Sequence, residues 1–145
     1  MRFVIKNIVT PEDLSLIPRR LGPSSRVHIS KVEDNLGVKK ILDSIRDHYD
    51  FTIKPESYYV FESRSEGHPW HVDTGSENHM AWCTLGGSMI INDSFTGGEL
   101  LYECKEEGIV KTGVREKFDM WIHTSDEKHK VNPSQGKREA FLLFI

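Results

Sequence analysis

The sequence predicts an α+β chain, mainly β with helices only in its N-terminal part, whose strands form a sandwich or barrel. Its 145 residues are near the commonest size for one domain and too few for two ordinary ones. From residue 57 onward, short apolar or aromatic runs alternate with glycine, asparagine and aspartate, as in proteins with many short strands. We therefore expect a single domain over 1–145, with a supporting part at 1–56 and a β-rich part at 57–145.

Two helices are expected in the N-terminal part. Thr10 can cap a helix that begins at Pro11, because the fixed φ of proline suits the first helical position. A second helix, over 36–49, has most of its apolar side chains on one face. Asp34 or Asn35 can cap it. A helix with one apolar face should pack against a sheet.

Strands are expected at 3–5 and 26–32, with a proline-rich loop at 18–25 before the second of them. The β-rich part contains further apolar runs, each bounded by turn residues. These runs are SYYVFES, HMAWCTL, GSMIIN, GELLYEC, GIVKT, FDMWIHT and REAFLLFI.

Composition narrows the class of protein. Hydrophobic residues make up 37% and charged residues 28%, as in soluble globular domains, and no apolar run has the length of a membrane span. The formal net charge of −3 creates no basic field for a phosphate backbone, so nucleic acid is not an expected partner. Cys83 and Cys104 lack the spacing of a zinc ribbon or a disulfide framework. With no export signal visible, these features favour the cytoplasm.

The segment HPWHVDTG, residues 68–75, contains a histidine and an aspartate two positions apart. In an extended chain, residues i and i+2 point to the same side, so His71 and Asp73 can both reach one ion. A second triplet of this kind, HYD at 48–50, closes the predicted second helix. There His48 is more simply a cation near a helix C-terminus.

A tight metal site needs a third donor from later in the chain. His123 and His129 are the candidates. Two imidazoles and one carboxylate on one face of an octahedron leave three open positions, an arrangement that suits non-haem iron(II) in oxygenases. Structural zinc sites more commonly complete their coordination shell with cysteine thiolates.

Four segments together resemble the iron(II)- and 2-oxoglutarate-dependent dioxygenases, particularly the prolyl 4-hydroxylase-like branch. They are HVD at 71–73, INDSFTGGELLY at 91–102, HKVNP at 129–133 and GKREAFLLF at 136–144. The combination is more specific than any single segment, because order and spacing both agree with the family. The resemblance covers residues 57–145 and implies that this part is a double-stranded β-helix, a cupin-like jelly roll that carries catalysis.

The resemblance also implies a ligand set and cofactors. Iron(II) would be held by His71, Asp73 and His129. The cosubstrate would be 2-oxoglutarate, with ascorbate as the reductant. Arg138 lies nine residues after His129, where the family has the basic residue that binds the far carboxylate of 2-oxoglutarate. A guanidinium can hold a carboxylate through two parallel hydrogen bonds. Choosing His123 would lengthen the interval to Arg138 and remove this fit, and Lys137 is the fallback for Arg138.

In this branch a tyrosine on the strand before the HxD triplet often supplies a further hydroxyl to 2-oxoglutarate. Tyr58 and Tyr59 are both available and face opposite sides of their strand. We assign the role to Tyr59, which shares a face with Phe61. Gly97 and Gly98 are expected to form a turn that needs positive φ, without a chemical role.

The resemblance implies a hydroxylase that consumes dioxygen and forms succinate and carbon dioxide. Its substrate would be a peptidyl residue such as proline, or a small amino acid. Retention of Asp73 favours hydroxylation, since related halogenases have a small residue there. Phe144 stands where nucleic-acid demethylases of the superfamily usually have a second arginine, so a nucleic-acid substrate is not expected. Two alternatives stay open: a non-catalytic jelly-roll module for binding or structure, and a cupin-type metalloenzyme without 2-oxoglutarate.

Overall fold

The computed structural model describes residues 1–20, 25–75, 78–106, 108–112 and 115–145. These residues form twelve strands and two α-helices. In chain order the strands are β1 (Arg2–Ile5), β2 (Val27–His28), β3 (Tyr58–Arg64), β4 (His68–His71), β5 (Leu85–Ile90), β6 (Thr96–Gly97), β7 (Leu100–Cys104), β8 (Gly108–Lys111), β9 (Met120–Thr124), β10 (Lys128–Val131), β11 (Ser134–Gln135) and β12 (Arg138–Phe144).

The strands pair antiparallel in two larger sheets and a small one. The six-stranded sheet has the order β1-β9-β5-β12-β3-β2, and the four-stranded sheet has the order β4-β10-β7-β8. Strands β6 and β11 form a separate two-stranded ribbon. Side chains from both larger sheets line one cavity. The predicted double-stranded β-helix is therefore confirmed.

Both predicted helices are present, with the expected caps. Helix α1 spans Pro11–Leu16, and its first turn is closed by reciprocal hydrogen bonds between Thr10 and Asp13. Helix α2 spans Leu36–Arg46, and the side chain of Asn35 accepts hydrogen bonds from its first turn. The helix therefore ends before residue 49, earlier than the apolar pattern indicated.

Helix α2 and one face of the six-stranded sheet form the main core. The helix buries Val38, Ile41, Leu42 and Ile45. From the sheet, the same cluster contains Tyr59, Phe141 and Leu143. This packing decides which face of β3 and β12 is turned toward the helices and which face is left for the cavity.

Three sequence-based expectations differ from the structure. The predicted strand at 26–32 is a strand only at Val27–His28 and continues as a 3₁₀ turn at Ile29–Lys31. The run HMAWCTL forms turns before β5 begins at Leu85. Residues 21–24 of the predicted loop lie outside the described residues. In the described part of the chain, no helix combines the length and the hydrophobicity needed to cross a bilayer.

Candidate active site

The HxD triplet and His129 meet where β4 and β10 pair. His71 ends β4 and is the direct partner of His129 in β10. Oδ1 of Asp73 lies 3.4 Å from Nε2 of His129 and 3.8 Å from Nε2 of His71. The three ligand atoms all lie within 4.8 Å of one another. Atoms bound to one ion at about 2.1 Å lie about 3 to 4 Å apart, so this spacing is close to that of a ligand set.

Backbone contacts orient the imidazoles of His71 and His129. Nδ1 of His71 lies 2.6 Å from the carbonyl oxygen of Pro69, and Nδ1 of His129 lies 2.8 Å from that of Glu127. A carbonyl oxygen only accepts hydrogen bonds, so each Nδ1 carries the proton and each Nε2 presents its lone pair to Asp73. Burial also lowers the pKa of His71, which favours its neutral form. Lone pairs that converge on a carboxylate oxygen suit a cation between them.

His123, the alternative third ligand, also contacts Asp73 but in the opposite tautomer. Its Nε2 lies 2.6 Å from Oδ2 of Asp73, and its Nδ1 lies 2.8 Å from the hydroxyl of Tyr102. Because a carboxylate only accepts hydrogen bonds, Nε2 must carry the proton. That nitrogen has no lone pair for a metal. The geometry therefore favours His129 over His123 as the third ligand.

Asp73 is ionised in spite of its burial. Only 5% of the residue is exposed, and desolvation by itself would raise its pKa. The hydrogen bond that His123 donates is the largest contribution that opposes desolvation, and the pKa of this carboxyl lies below its ordinary value. The site therefore offers an anionic oxygen beside two imidazole nitrogens.

The three candidate ligands line a cavity of about 280 Å³. Arg138 lines the same cavity, together with apolar side chains of β12 and of the turn before β5. These apolar residues are Met80, Leu142 and Phe144. The volume is at the small end of the range of ligand pockets, about 300 Å³ and above. Such a cavity suits a small molecule that has polar groups at its ends.

The guanidinium of Arg138 is buried and only partly paired. The residue is 1% exposed, and its Nη2 donates to Oε2 of Glu62 at 3.1 Å. Its Nη1 is buried and has no hydrogen-bond partner among the described residues. An unpaired buried donor is costly, so this nitrogen is suited to an anion that enters the cavity. The fallback residue, Lys137, is exposed to solvent.

A second arginine, which no sequence motif indicated, stands beside Arg138. Arg115 donates to Oγ of Ser88 and to the carbonyl oxygen of Gly98, each at 3.0 Å. Desolvation and the positive charge of Arg138 lower the pKa of Arg115 to about 10. Ser88 itself lines the cavity. The second arginine therefore adds positive charge near Arg138.

Gly98 does more than form a turn. Gly97 and Gly98 have φ values of 80° and 68°, so the expected positive φ is confirmed. A Cβ at Gly98 would also lie 3.2 Å from Cδ of Arg138. Gly98 therefore also leaves room for the side chain of Arg138.

Comparisons with known proteins identify the fold. No family model and no curated protein matches the sequence. Solved structures do match, including a Pseudomonas putida prolyl-4-hydroxylase with a TM-score of 0.58 and 11% identity. The match covers 76% of this chain and 61% of that one.

A 2OG-Fe(II) oxygenase family oxidoreductase from Burkholderia pseudomallei matches with a TM-score of 0.54 and 11% identity, over 74% of this chain and 57% of that one. A Trichoplax adhaerens prolyl hydroxylase, in complex with a peptide fragment of the hypoxia inducible factor oxygen degradation domain, matches with a TM-score of 0.61 and 17% identity. That match covers 99% of this chain and 83% of the other. The fold is that of the prolyl hydroxylases. The chain spans about three fifths of the length of the two bacterial structures.

Within the prolyl hydroxylase fold, Tyr59 does not occupy the position that the sequence suggested. Its hydroxyl donates to the carbonyl oxygen of Pro18 at 2.8 Å, and its ring packs in the core against Phe61 and Phe141. Tyr58 lines the cavity instead. The assignment of Tyr59 as a 2-oxoglutarate ligand is therefore wrong, because the aromatic face of β3 is the face that packs into the core.

The Tyr59→Phe substitution should reduce stability without affecting the cavity. Loss of the hydrogen bond to Pro18 is expected to lower the free energy of unfolding by about 1 kcal/mol. The affinity for 2-oxoglutarate should be unchanged. Chemical denaturation measures the change in stability, and calorimetry measures the affinity. A clear loss of 2-oxoglutarate affinity in a folded Tyr59→Phe protein would restore the original assignment.

Gly86 in β5 leaves the space that Asp73 occupies. A Cβ at this glycine would overlap Oδ2 of Asp73 and lie 2.7 Å from Nε2 of His123. The Gly86→Ala substitution is therefore expected to displace the carboxylate and weaken metal binding by about 10- to 100-fold, the range for disturbed partners of ligands.

Titration with a divalent metal measures this effect, with circular dichroism to verify folding. Gly108→Ala is the matched control, because a Cβ at Gly108 would meet nothing within 4 Å and only its positive φ opposes the change. Gly108→Ala should therefore cost some stability and leave metal affinity intact. Equal metal affinity in both variants would contradict the prediction.

Proposed function

We propose that the protein is an iron(II)- and 2-oxoglutarate-dependent dioxygenase that hydroxylates its substrate. One observation supports this best: the cavity that His71, Asp73 and His129 line is also lined by Arg138, whose buried Nη1 has no hydrogen-bond partner among the described residues. The cosubstrate 2-oxoglutarate has a matching pair of ends, since its keto acid end chelates metals and its other end is a carboxylate.

The protein's own groups would each contribute to binding and orientation. His71, Asp73 and His129 would hold the ion on one face and leave the opposite face open. Arg138 would bind the far carboxylate through its free Nη1, while Glu62 orients the guanidinium from the other side. With dioxygen and 2-oxoglutarate, iron(II) at this site would supply oxidative decarboxylation to succinate and carbon dioxide, coupled to hydroxylation of a carbon–hydrogen bond.

The electrostatics around Arg138 support an anionic ligand. Glu62 lies 2.8 Å from Nε2 of His68, 3.1 Å from Nη2 of Arg138 and 3.6 Å from Nη1 of Arg64. The carboxylate of Glu62 is therefore shared by several basic side chains, and Arg115 is a further cation nearby. Arg64 is also shared with Glu66, at 3.9 Å, so the positive charge near the cavity comes from Arg138 and Arg115 and favours a carboxylate there.

A peptidyl substrate, with proline as the first residue to test, is part of the proposal. Matching structures include prolyl hydroxylases, one of them with a peptide fragment bound. Tyr58 and Phe144 both line the cavity, with their ring centroids 5.0 Å apart, and Trp82, outside the lining, lies 6.0 Å from Tyr58. Aromatic and apolar walls suit an apolar ring such as that of proline. A small free amino acid is the second class to test.

The test is turnover by the purified protein. The protein is incubated with iron(II), 2-oxoglutarate, ascorbate and dioxygen, together with proline-containing peptides or a panel of amino acids. Mass spectrometry should detect succinate and a substrate that has gained one oxygen atom. Reactions without 2-oxoglutarate, or without dioxygen, should form neither product.

The two alternatives predict different outcomes. A non-catalytic jelly-roll module would form no succinate, whether or not it binds a metal. A cupin-type metalloenzyme would bind the metal but respond neither to 2-oxoglutarate nor to substitution of Arg138. Metal and 2-oxoglutarate titrations of the wild-type protein, together with the succinate assay, therefore decide between these alternatives and the proposed dioxygenase.

A further inference from the structure

We propose that His123 and Tyr102 position Asp73 so that only one of its two oxygens faces the metal. The inference rests on the proposed metal site and extends it to two residues outside the ligand set. Tyr102, His123 and Asp73 form a chain of hydrogen bonds, with 2.8 Å between the first pair and 2.6 Å between the second. All three residues are buried. Water therefore competes little for these hydrogen bonds.

The direction of each hydrogen bond follows from the carboxylate. Asp73 only accepts, so Nε2 of His123 donates to it. In the neutral imidazole Nδ1 must then accept, and the hydroxyl of Tyr102 is the donor. Tyr102 thereby favours the tautomer in which His123 supports the carboxylate. The same hydrogen bond disfavours the tautomer that would turn a lone pair of His123 toward the metal site.

The two oxygens of Asp73 have separate partners. Oδ2 is 2.6 Å from His123, whereas Oδ1 is the oxygen nearest to Nε2 of both candidate ligand histidines. A carboxylate can bind a metal through one oxygen or through both. Binding through both would fill a position that a chelating cosubstrate or dioxygen needs. By engaging Oδ2, His123 favours binding through Oδ1 alone.

The pair also joins the two sheets at the metal site. Tyr102 lies in β7 of the four-stranded sheet, and His123 lies in β9 of the six-stranded sheet. On the side of β5, Gly86 approaches so closely that a Cβ would overlap Oδ2 of Asp73. The carboxylate is therefore confined by both a hydrogen bond and a steric boundary.

Cobalt(II) binding tests this role without relying on turnover. The dissociation constant is measured by calorimetry, and the visible absorption of bound cobalt(II) reports its coordination. We expect His123→Phe to weaken binding by about 10- to 100-fold and to change the spectrum. Tyr102→Phe, which removes only the hydroxyl, should weaken binding by roughly 5-fold.

A conservative variant and matched controls separate positioning from general damage. In His123→Gln, the side-chain amide can still donate to Asp73, so affinity should recover to within a few-fold of wild type. His48→Phe and Tyr49→Phe make the same chemical changes near the end of α2, away from the cavity, and should bind cobalt(II) like wild type. If His123→Phe does not fold, Tyr102→Phe decides the question.

The outcomes distinguish this inference from the proposed function. If wild type and the folded variants bind cobalt(II) with equal affinity and identical spectra, the positioning role is overturned while the metal site stands. If wild type itself binds no cobalt(II), the proposed metal site fails and the inference fails with it. Weakened binding in Tyr102→Phe, with recovery in His123→Gln, supports the role.

Discussion

The His71→Ala substitution is expected to abolish both metal binding and turnover. The variant loses one of three ligands, and the remaining imidazole and carboxylate cannot hold a divalent ion tightly. Affinity should fall by more than the 10- to 100-fold typical of residues that merely support ligands. Calorimetric titration with iron(II) under anaerobic conditions measures the loss, and the succinate assay should show no product.

The second HxD triplet provides a matched control. His48→Ala removes a histidine with the same sequence context, but His48 follows α2 and its Nδ1 contacts the carbonyl oxygen of Ser44. This variant should bind iron(II) with the affinity of wild type. If both variants keep full affinity, or if His48→Ala is the one that loses it, the assignment of the metal site to His71 is wrong.

The Arg138→Gln substitution is expected to weaken 2-oxoglutarate binding by about 10- to 100-fold. A hydrogen bond to a charged group contributes about 1.5 to 3 kcal/mol, and Nη1 of Arg138 is the nitrogen proposed to supply it. Metal affinity should be almost unchanged, because Arg138 is not in the ligand set. Calorimetry with 2-oxoglutarate, on protein loaded with a redox-inert divalent ion, measures the effect.

Two controls isolate the carboxylate contact. Lys137→Gln changes the neighbouring, exposed cation and should leave 2-oxoglutarate affinity intact. The five-carbon acid 2-oxopentanoate lacks the far carboxylate, so wild type and Arg138→Gln should bind it equally weakly. If Lys137→Gln weakens 2-oxoglutarate binding and Arg138→Gln does not, the fallback assignment is correct.

The sequence alone predicted the helices and most of the strands of the β-rich part. Helix caps depend on residues within one turn, which explains why Thr10 and Asn35 were recognised as candidate caps. The prediction of a strand was wrong for the second half of 26–32, because the length of a strand depends on pairing with a distant segment. Strand β2 pairs with β3 only through Val27 and His28.

The order of short motifs also indicated the candidate ligands. His71 and Asp73 are two positions apart, while His129 and Arg138 follow more than fifty residues later. The structure brings all four to one cavity. Spacing along the chain was informative here because strand alternation and the resemblance constrain the same positions.

Only the tertiary structure decided which face of each strand lines the cavity. Alternation places Tyr58 and Tyr59 on opposite faces of β3, but it does not say which face the helices cover. The structure places Tyr59 in the core with α2 and leaves Tyr58 at the cavity. An apolar periodicity predicts that a side chain is buried, but it does not predict whether a helix or the cavity faces that side chain.

The contacts of Tyr102, His123 and Arg115 around the site also could not be predicted from the sequence. Tyr102 and His123 come from different sheets, and His123 reaches Asp73 across fifty positions of sequence. Arg115 follows β8 in a stretch without a motif, yet it hydrogen bonds Ser88 on β5. Local sequence determined the helix caps and the spacing of the candidate ligands, because both depend on nearby residues or strand alternation. Tertiary packing decided their partners, because those contacts join segments that meet only in the folded chain.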